Sequence, residues 1–80
     1  MIEMVEAYIL GQISPKREKE ALSKIAEINC VNEVDIVYGK YDLIAKVTTD
    51  SMEELKNIVR EEIRKTGVIE LTQTLVVTEV

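Results

Sequence analysis

Two runs of alternating apolar and polar residues, Val34 to Tyr38 and Tyr41 to Val47, meet at one glycine near the middle of the chain. Alternation with a period of two marks a half-buried strand. Glycine reaches positive φ without a Cβ clash, so Gly39-Lys40 reads as a tight hairpin connection. A central antiparallel hairpin limits the fold to one in which the flanking segments add to its sheet or cover it. Asp42 falls just past the turn, near a sheet edge or mouth.

Before the hairpin, Val5 to Ile13 predicts a strand with Val5, Ala7 and Ile9 on one face and Tyr8 and Leu10 on the other. Apolar residues on both faces point to a central position. Ser14-Pro15 then predicts a helix start, with Ser14 as cap and Pro15 in the first turn, where no N–H partner is needed. Ala21, Leu22, Ile25, Ala26 and Ile28 recur at helical spacing, and the mixed charges from Lys16 to Glu27 form a solvated outer face. Asn29 to Asn32 reads as a turn. After the hairpin, Asp50 or Ser51 caps a second helix, and Ser51 to Glu54 has capping-box spacing. Met52, Leu55, Ile58, Val59 and Ile63 form its buried face, and Gly67 suits the left-handed stop. Val68 to Val80 predicts the last strand.

The order is strand, helix, strand, strand, helix, strand. A faint repeat supports two halves: Cys30-Val31-Asn32-Glu33-Val34 follows one helix and Gly67-Val68-Ile69-Glu70-Leu71 the other. Two βαβ halves joined by a hairpin give an α+β, ferredoxin-like βαββαβ fold: a four-stranded antiparallel sheet with two helices on one face. The first and third strands are central. Leu43, Ala45 and Val47, and Leu71, Leu75 and Val77, are expected to meet the helices. The opposite face is expected to carry Ile44 and Val76, with Leu10 or Tyr8 and Val37, beside threonines. So much aliphatic surface predicts a symmetric dimer through the open face or its edges.

Eighty residues make a single domain spanning residues 1–80. A chain this short buries only about 60% of the surface its unfolded form exposes. One cysteine, Cys30, cannot form an internal disulfide, and the absence of histidine removes the commonest metal ligand. Assembly is the remaining way to add burial. The net charge of −5 disfavours a phosphate backbone as a partner. No membrane-spanning apolar run and no signal-peptide pattern are present, and a lone free thiol points to the cytoplasm.

The residues predict no catalytic or metal site and no cofactor. Without histidine no Ser-His or Cys-His pair exists, and no glycine-rich phosphate loop is found. Cys30 reads as a small, semi-buried residue. Phe and Trp are absent, so the stacking platform of an RNA-binding sheet is missing. Asp42, Thr72 and Thr74 remain. Thr72 and Thr74 share one side of their strand. A carboxylate pairs with an ammonium group, and hydroxyls with backbone N–H groups near Gly39 can hold a carboxylate. These are the parts of a clasp for a free α-amino acid. Equally, Asp42 is an ordinary turn residue and threonines are good strand formers.

The run Val37-Tyr38-Gly39-Lys40-Tyr41-Asp42-Leu43-Ile44-Ala45-Lys46-Val47, the helix start Met52-Glu53-Glu54-Leu55, and Gly67-Val68-Ile69-Glu70-Leu71-Thr72-Gln73-Thr74 together resemble the effector-binding (RAM) domain of the Lrp/AsnC family. The resemblance covers nearly the whole chain. It implies dimers made through the sheets, often assembled into octamers or rings of dimers, with amino-acid effectors bound between dimers. It implies that Gly39, Lys40, Tyr41, Asp42, Thr72 and Thr74 line that site, with Asp42 on the ammonium group and the Gly39-Lys40-Tyr41 backbone on the carboxylate. Asp42→Ala is then expected to abolish the ligand response with little loss of fold. Eighty residues leave no room for the family's helix-turn-helix domain, so the resemblance is to the stand-alone module, acting on transcription by assembly with itself or with a full-length DNA-binding relative. A ligand-independent interaction module, an ACT-type amino-acid-binding module and a dimeric α/β-barrel enzyme share the element order. The Gly-x-Tyr-Asp and Thr-x-Thr segments favour the Lrp/AsnC form over the ACT-type, and the missing histidine weighs against the enzyme.

Overall fold

A computed structural model describes residues 4–78. Strands β1 (Val5–Ile13), β2 (Val31–Ile36), β3 (Leu43–Thr49) and β4 (Ile69–Val76) form one sheet of order β2-β3-β1-β4. Each neighbouring pair is antiparallel. Helices α1 (Glu18–Ala26) and α2 (Met52–Asn57) cover one face, and α2 continues directly into a wider π-type turn over Ile58–Ile63. This is the expected ferredoxin-like α+β arrangement, with β1 and β3 central.

The core follows from strand alternation. Ala7, Ile9 and Ile13 of β1 and Leu43, Ala45 and Val47 of β3 are buried against Ala21 and Ile25 of α1 and Leu55, Ile58 and Ile63 of the second helical segment. The wider turn matters here. Residues five apart come to one side in i→i+5 geometry, and Ile58 and Ile63 are both buried. Truncating Ile25 or Leu55 to alanine should cost about 2–5 kcal/mol, a large part of the roughly 5–15 kcal/mol that holds a domain folded.

The second helix begins and ends as its sequence predicts. Ser51 Oγ accepts from the Glu54 N–H at 3.1 Å, and Gly67 closes the segment at φ +74°, with its N–H donating to Arg64 O at 3.1 Å. The first helix does not start at Ser14-Pro15. The Ser14 N–H donates to Val68 O at 2.9 Å, which holds Ser14 to the sheet, and the Arg17 N–H closes a turn onto Ser14 O at 3.1 Å. Lys16 sits at φ +67°, so helix begins only at Glu18. The apolar face of α1 is also narrower than its spacing predicts: Ala21 and Ile25 are buried, whereas Leu22 and Ala26 are exposed.

The hairpin is wider than a two-residue turn. The Val37 N–H donates to Asp42 O at 2.8 Å, so Tyr38, Gly39, Lys40 and Tyr41 form the loop. Gly39 lies at φ +150°, a region that disfavours any Cβ. Tyr38 is fully exposed.

The largest departure concerns β4. Thr72 pairs with Gly11, Thr74 with Ile9 and Val76 with Ala7, all on the helix-covered face. Leu71 and Leu75 therefore point to the open face, at 52% and 47% exposure, and Val76 does not. The cause is a register shift between Gln12 and Ile13, which pair with Leu71 and Ile69. Glu70 is the extra residue, and one extra residue sends each later side chain to the other face. The strand ends at Val76 rather than Val80; residues 79–80 of that expected strand lie outside the described residues.

Candidate functional site

The hairpin loop packs on the end of β1 through three contacts and on β4 through a fourth. Asp42 donates its N–H to Gly11 O at 2.9 Å. Its Oδ2 accepts from the Ile13 N–H at 2.9 Å, the amide at the register shift between β1 and β4. Lys40 O accepts from Gln12 Nε2 at 3.3 Å. Tyr41 Oη donates to Gln73 Oε1 at 2.7 Å, which ties the loop across β1 to the edge strand. Asp42 is half-buried, while Gly39 and Lys40 are exposed. One carboxylate oxygen of Asp42 thus has a structural partner, and the group sits at the mouth of the sheet.

Thr72 and Thr74 lie elsewhere. They share the helix-covered face and line two grooves between β4 and the helical stretch of residues 52–64. One groove, of about 400 Å³, holds Thr74 with Leu55, Val59, Arg60 and Arg64. The other, of about 210 Å³, holds Thr72 with Val59, Ile63 and Arg64. Within one chain, the structure brings Gly39, Lys40, Tyr41 and Asp42 together. It brings Thr72 and Thr74 together. It does not join the two groups. Gln12 and Gln73, which fasten the loop, were not singled out in the sequence; the available signal was that each strand, β1 and β4, carries one glutamine, the two glutamines of the chain.

The open face is divided. Tyr8, Ile44 and Lys46 meet Glu33 and Asp35 on the β2 side, with the Lys46 ammonium 6.0 Å from the Tyr8 ring centroid. On the β4 side Leu10, Leu71 and Leu75 make an aliphatic strip, interrupted by Gln73 opposite Leu10, with Val77 beyond it 47% exposed.

Two titratable groups are shifted. Glu20 is held below the usual carboxylate value by hydrogen bonds from Lys24 and then Arg17, each ion pair 2.8 Å long. Burial, followed by a 3.3 Å hydrogen bond to Glu54 Oε1, pushes the Cys30 thiol up. A thiol held protonated is a poor nucleophile. Among the described residues no cluster of His, Cys, Asp and Glu is placed to hold a metal ion, and no helix is long and apolar enough to cross a membrane.

Residues 6–80 match the Lrp/AsnC ligand binding domain. The chain belongs to that family. An uncharacterised HTH-type transcriptional regulator of Pyrococcus furiosus is 30% identical over 76 residues, which are 95% of this chain and 51% of that protein. The chain spans about half the length of the curated relatives it matches. The crystal structure of TTHA0845 from Thermus thermophilus superposes with a TM-score of 0.89 at 33% identity, over 95% of each chain. A transcriptional regulator of Neisseria meningitidis, NMB0573, solved as an L-Met complex, shares the fold at a TM-score of 0.86 and 13% identity, over 94% of this chain and 50% of that one. The Lrp/AsnC domain is thus a transcriptional-regulator module in its curated relatives.

Proposed function

We propose that this Lrp/AsnC domain is a non-enzymatic, oligomeric regulatory module of the cytoplasm that senses a free amino acid and influences transcription through assembly. The observation that carries the reading is the half-buried Asp42 carboxylate at the sheet mouth, on a glycine-containing loop, in a chain of this family. Asp42 takes the ammonium group, and the Gly39-Lys40-Tyr41 backbone takes the carboxylate. Thr72 and Thr74 face the other side of the sheet, so they join the effector only from another subunit. The effector therefore sits between subunits, and the assembly that holds it best is stabilised by binding. The L-Met complex of the Neisseria relative supports an amino acid as the ligand class.

The aliphatic strip Leu10, Leu71 and Leu75 supports a homodimer made through the open sheet face. Dimers then assemble with one another, into octamers or rings, or with a full-length DNA-binding relative. The structural bond from Ile13 to Asp42 favours a second reading, in which Asp42 only fastens the hairpin and the domain is a ligand-independent interaction module.

A thermal-shift screen against the twenty free amino acids separates the two. A ligand at about 100 times its dissociation constant adds about 2.7 kcal/mol per site. A shift for one amino acid or a chemically related group, lost in Asp42→Asn, supports the sensor. A flat panel overturns it in favour of the interaction module.

A further inference from the structure

We propose that the groove between β4 and the helical stretch of residues 52–64 is a second binding site, for a small organic anion that carries a carboxylate and an apolar tail but no ammonium group. The groove is open on one side and about 400 Å³ in volume, within the size range of small-molecule sites. Lys56, Arg60 and Arg64, one at every fourth residue, line it together with Met52, Leu55, Val59 and Val76. No aspartate or glutamate lines it, in a chain with 15 acidic and 10 basic residues. The charge is therefore segregated. The ion pairs found among the described residues use Arg17 and Lys24, so the three groove cations are not neutralised by a partner there.

The chemistry follows from that lining. A guanidinium presents a planar fork that matches a carboxylate with two parallel hydrogen bonds. The Thr74 hydroxyl, in the same groove, can donate a third. Val59 and Val76 receive an aliphatic tail. An α-amino acid would bring its ammonium group to three like charges with no carboxylate in the groove's own lining to accept it. The groove thus selects the 2-oxo acid or simple carboxylic acid over the amino acid of the same side chain. This site does not rest on the amino-acid reading. It shares Thr74 with the residues proposed there, and Asp42 of the same chain lies on the hairpin, away from it.

The test is an amide NMR titration of the full chain with three separate probes: 4-methyl-2-oxopentanoate, leucine and inorganic phosphate. The oxo acid should shift Val59, Arg60, Thr74 and Val76 saturably. Leucine and phosphate should bind there at least about tenfold more weakly, the factor set by one charge-assisted contact or one buried aliphatic group. Arg60→Gln with Arg64→Gln should weaken the oxo acid at least about tenfold, while Lys46→Gln, on the open face, leaves it unchanged. Arg60 and Arg64 are exposed, so the double variant keeps its thermal midpoint, and Lys56→Gln gives an independent, smaller loss. Absence of saturable shifts, equal binding of leucine or phosphate, or undiminished binding in the double variant overturns the proposal.

Discussion

Replacing Asp42 separates its structural work from any role with a ligand. Its Oδ2 is the acceptor for the Ile13 N–H, and Ile13 is a core residue at 7% exposure. That amide lies where β1 and β4 change register. In Asp42→Ala the amide loses its acceptor, which costs about 1–3 kcal/mol for a buried donor. The site is half-buried and at the sheet mouth, so water restores part of that and the lower half of the range applies. For a domain of this size, 1 kcal/mol moves the thermal midpoint by about 4–8 °C. Asp42→Ala should therefore lower the midpoint by about 5–15 °C. Asp42→Asn keeps a carbonyl acceptor and loses only the charge-assisted part of the bond, so its fall should be less than half as large. Calorimetry on the two variants and the wild type measures this directly. Equal midpoints for the alanine and asparagine variants, or no fall in either, would refute the reasoning. The expectation that alanine leaves the fold nearly untouched is replaced by this one, and asparagine becomes the variant for ligand assays.

The Ser51 cap gives a second prediction: Ser51→Ala leaves the Glu54 N–H without its acceptor and should cost about 1 kcal/mol in urea unfolding. Gly67→Ala should cost about 1–2 kcal/mol by the same assay, because φ is +74° there and a Cβ is strained in that region. Cys30 predicts a pH dependence. Its thiol is raised above the ordinary value of 9.0, so the folded chain holds the proton more tightly than the unfolded one. That contribution is complete below 9.0 and is lost as pH rises through the folded-state value. Alkylation by iodoacetamide at neutral pH should be slower than for a free cysteine, and Glu54→Gln should speed it. Finally, Leu75→Lys places a charge on the aliphatic strip of the open face, and light scattering should show smaller assemblies at an unchanged far-ultraviolet spectrum.

Most of the fold is legible in the sequence because most local signals agree with the tertiary result. The Ser51 cap, the Gly67 stop and the alternation in β1 and β3 each act within a few residues. The start of α1 is not legible, since the Ser14 amide is taken by Val68 O, far along the chain. That bond holds Ser14 to the sheet without using its capping oxygen, and the chain turns through Lys16 at φ +67° before the helix starts. The facing of β4 is hidden for a different reason. Val68 and Ile69 are consecutive inward residues, and the bulge at Glu70 resets the phase. Reading aliphatics as inward then reverses Leu71 and Leu75. That inference assumes a sheet with one wet face, and here the aliphatic strip stands on the uncovered face.

The same reversal decides how a site that uses all six predicted residues must be built. With β4 in the phase first expected, Thr72 and Thr74 would share the open face with the hairpin loop, and a single chain would close the clasp. In the observed register Thr72 follows Gly11 and Thr74 follows Ile9 to the helix side, while the loop reaches β4 only through Tyr41 and Gln73. A ligand held by Asp42 and by the threonines must then bridge subunits. Bridging makes affinity depend on protein concentration, because the ligand binds the assembled form alone. A ligand held by the loop of one chain binds with the same affinity at every concentration. Titration of the identified amino acid at two protein concentrations on either side of the assembly midpoint therefore reports which architecture the domain uses. A dissociation constant that falls as protein is added supports the bridged site, and a constant value restricts the site to Gly39, Lys40, Tyr41 and Asp42.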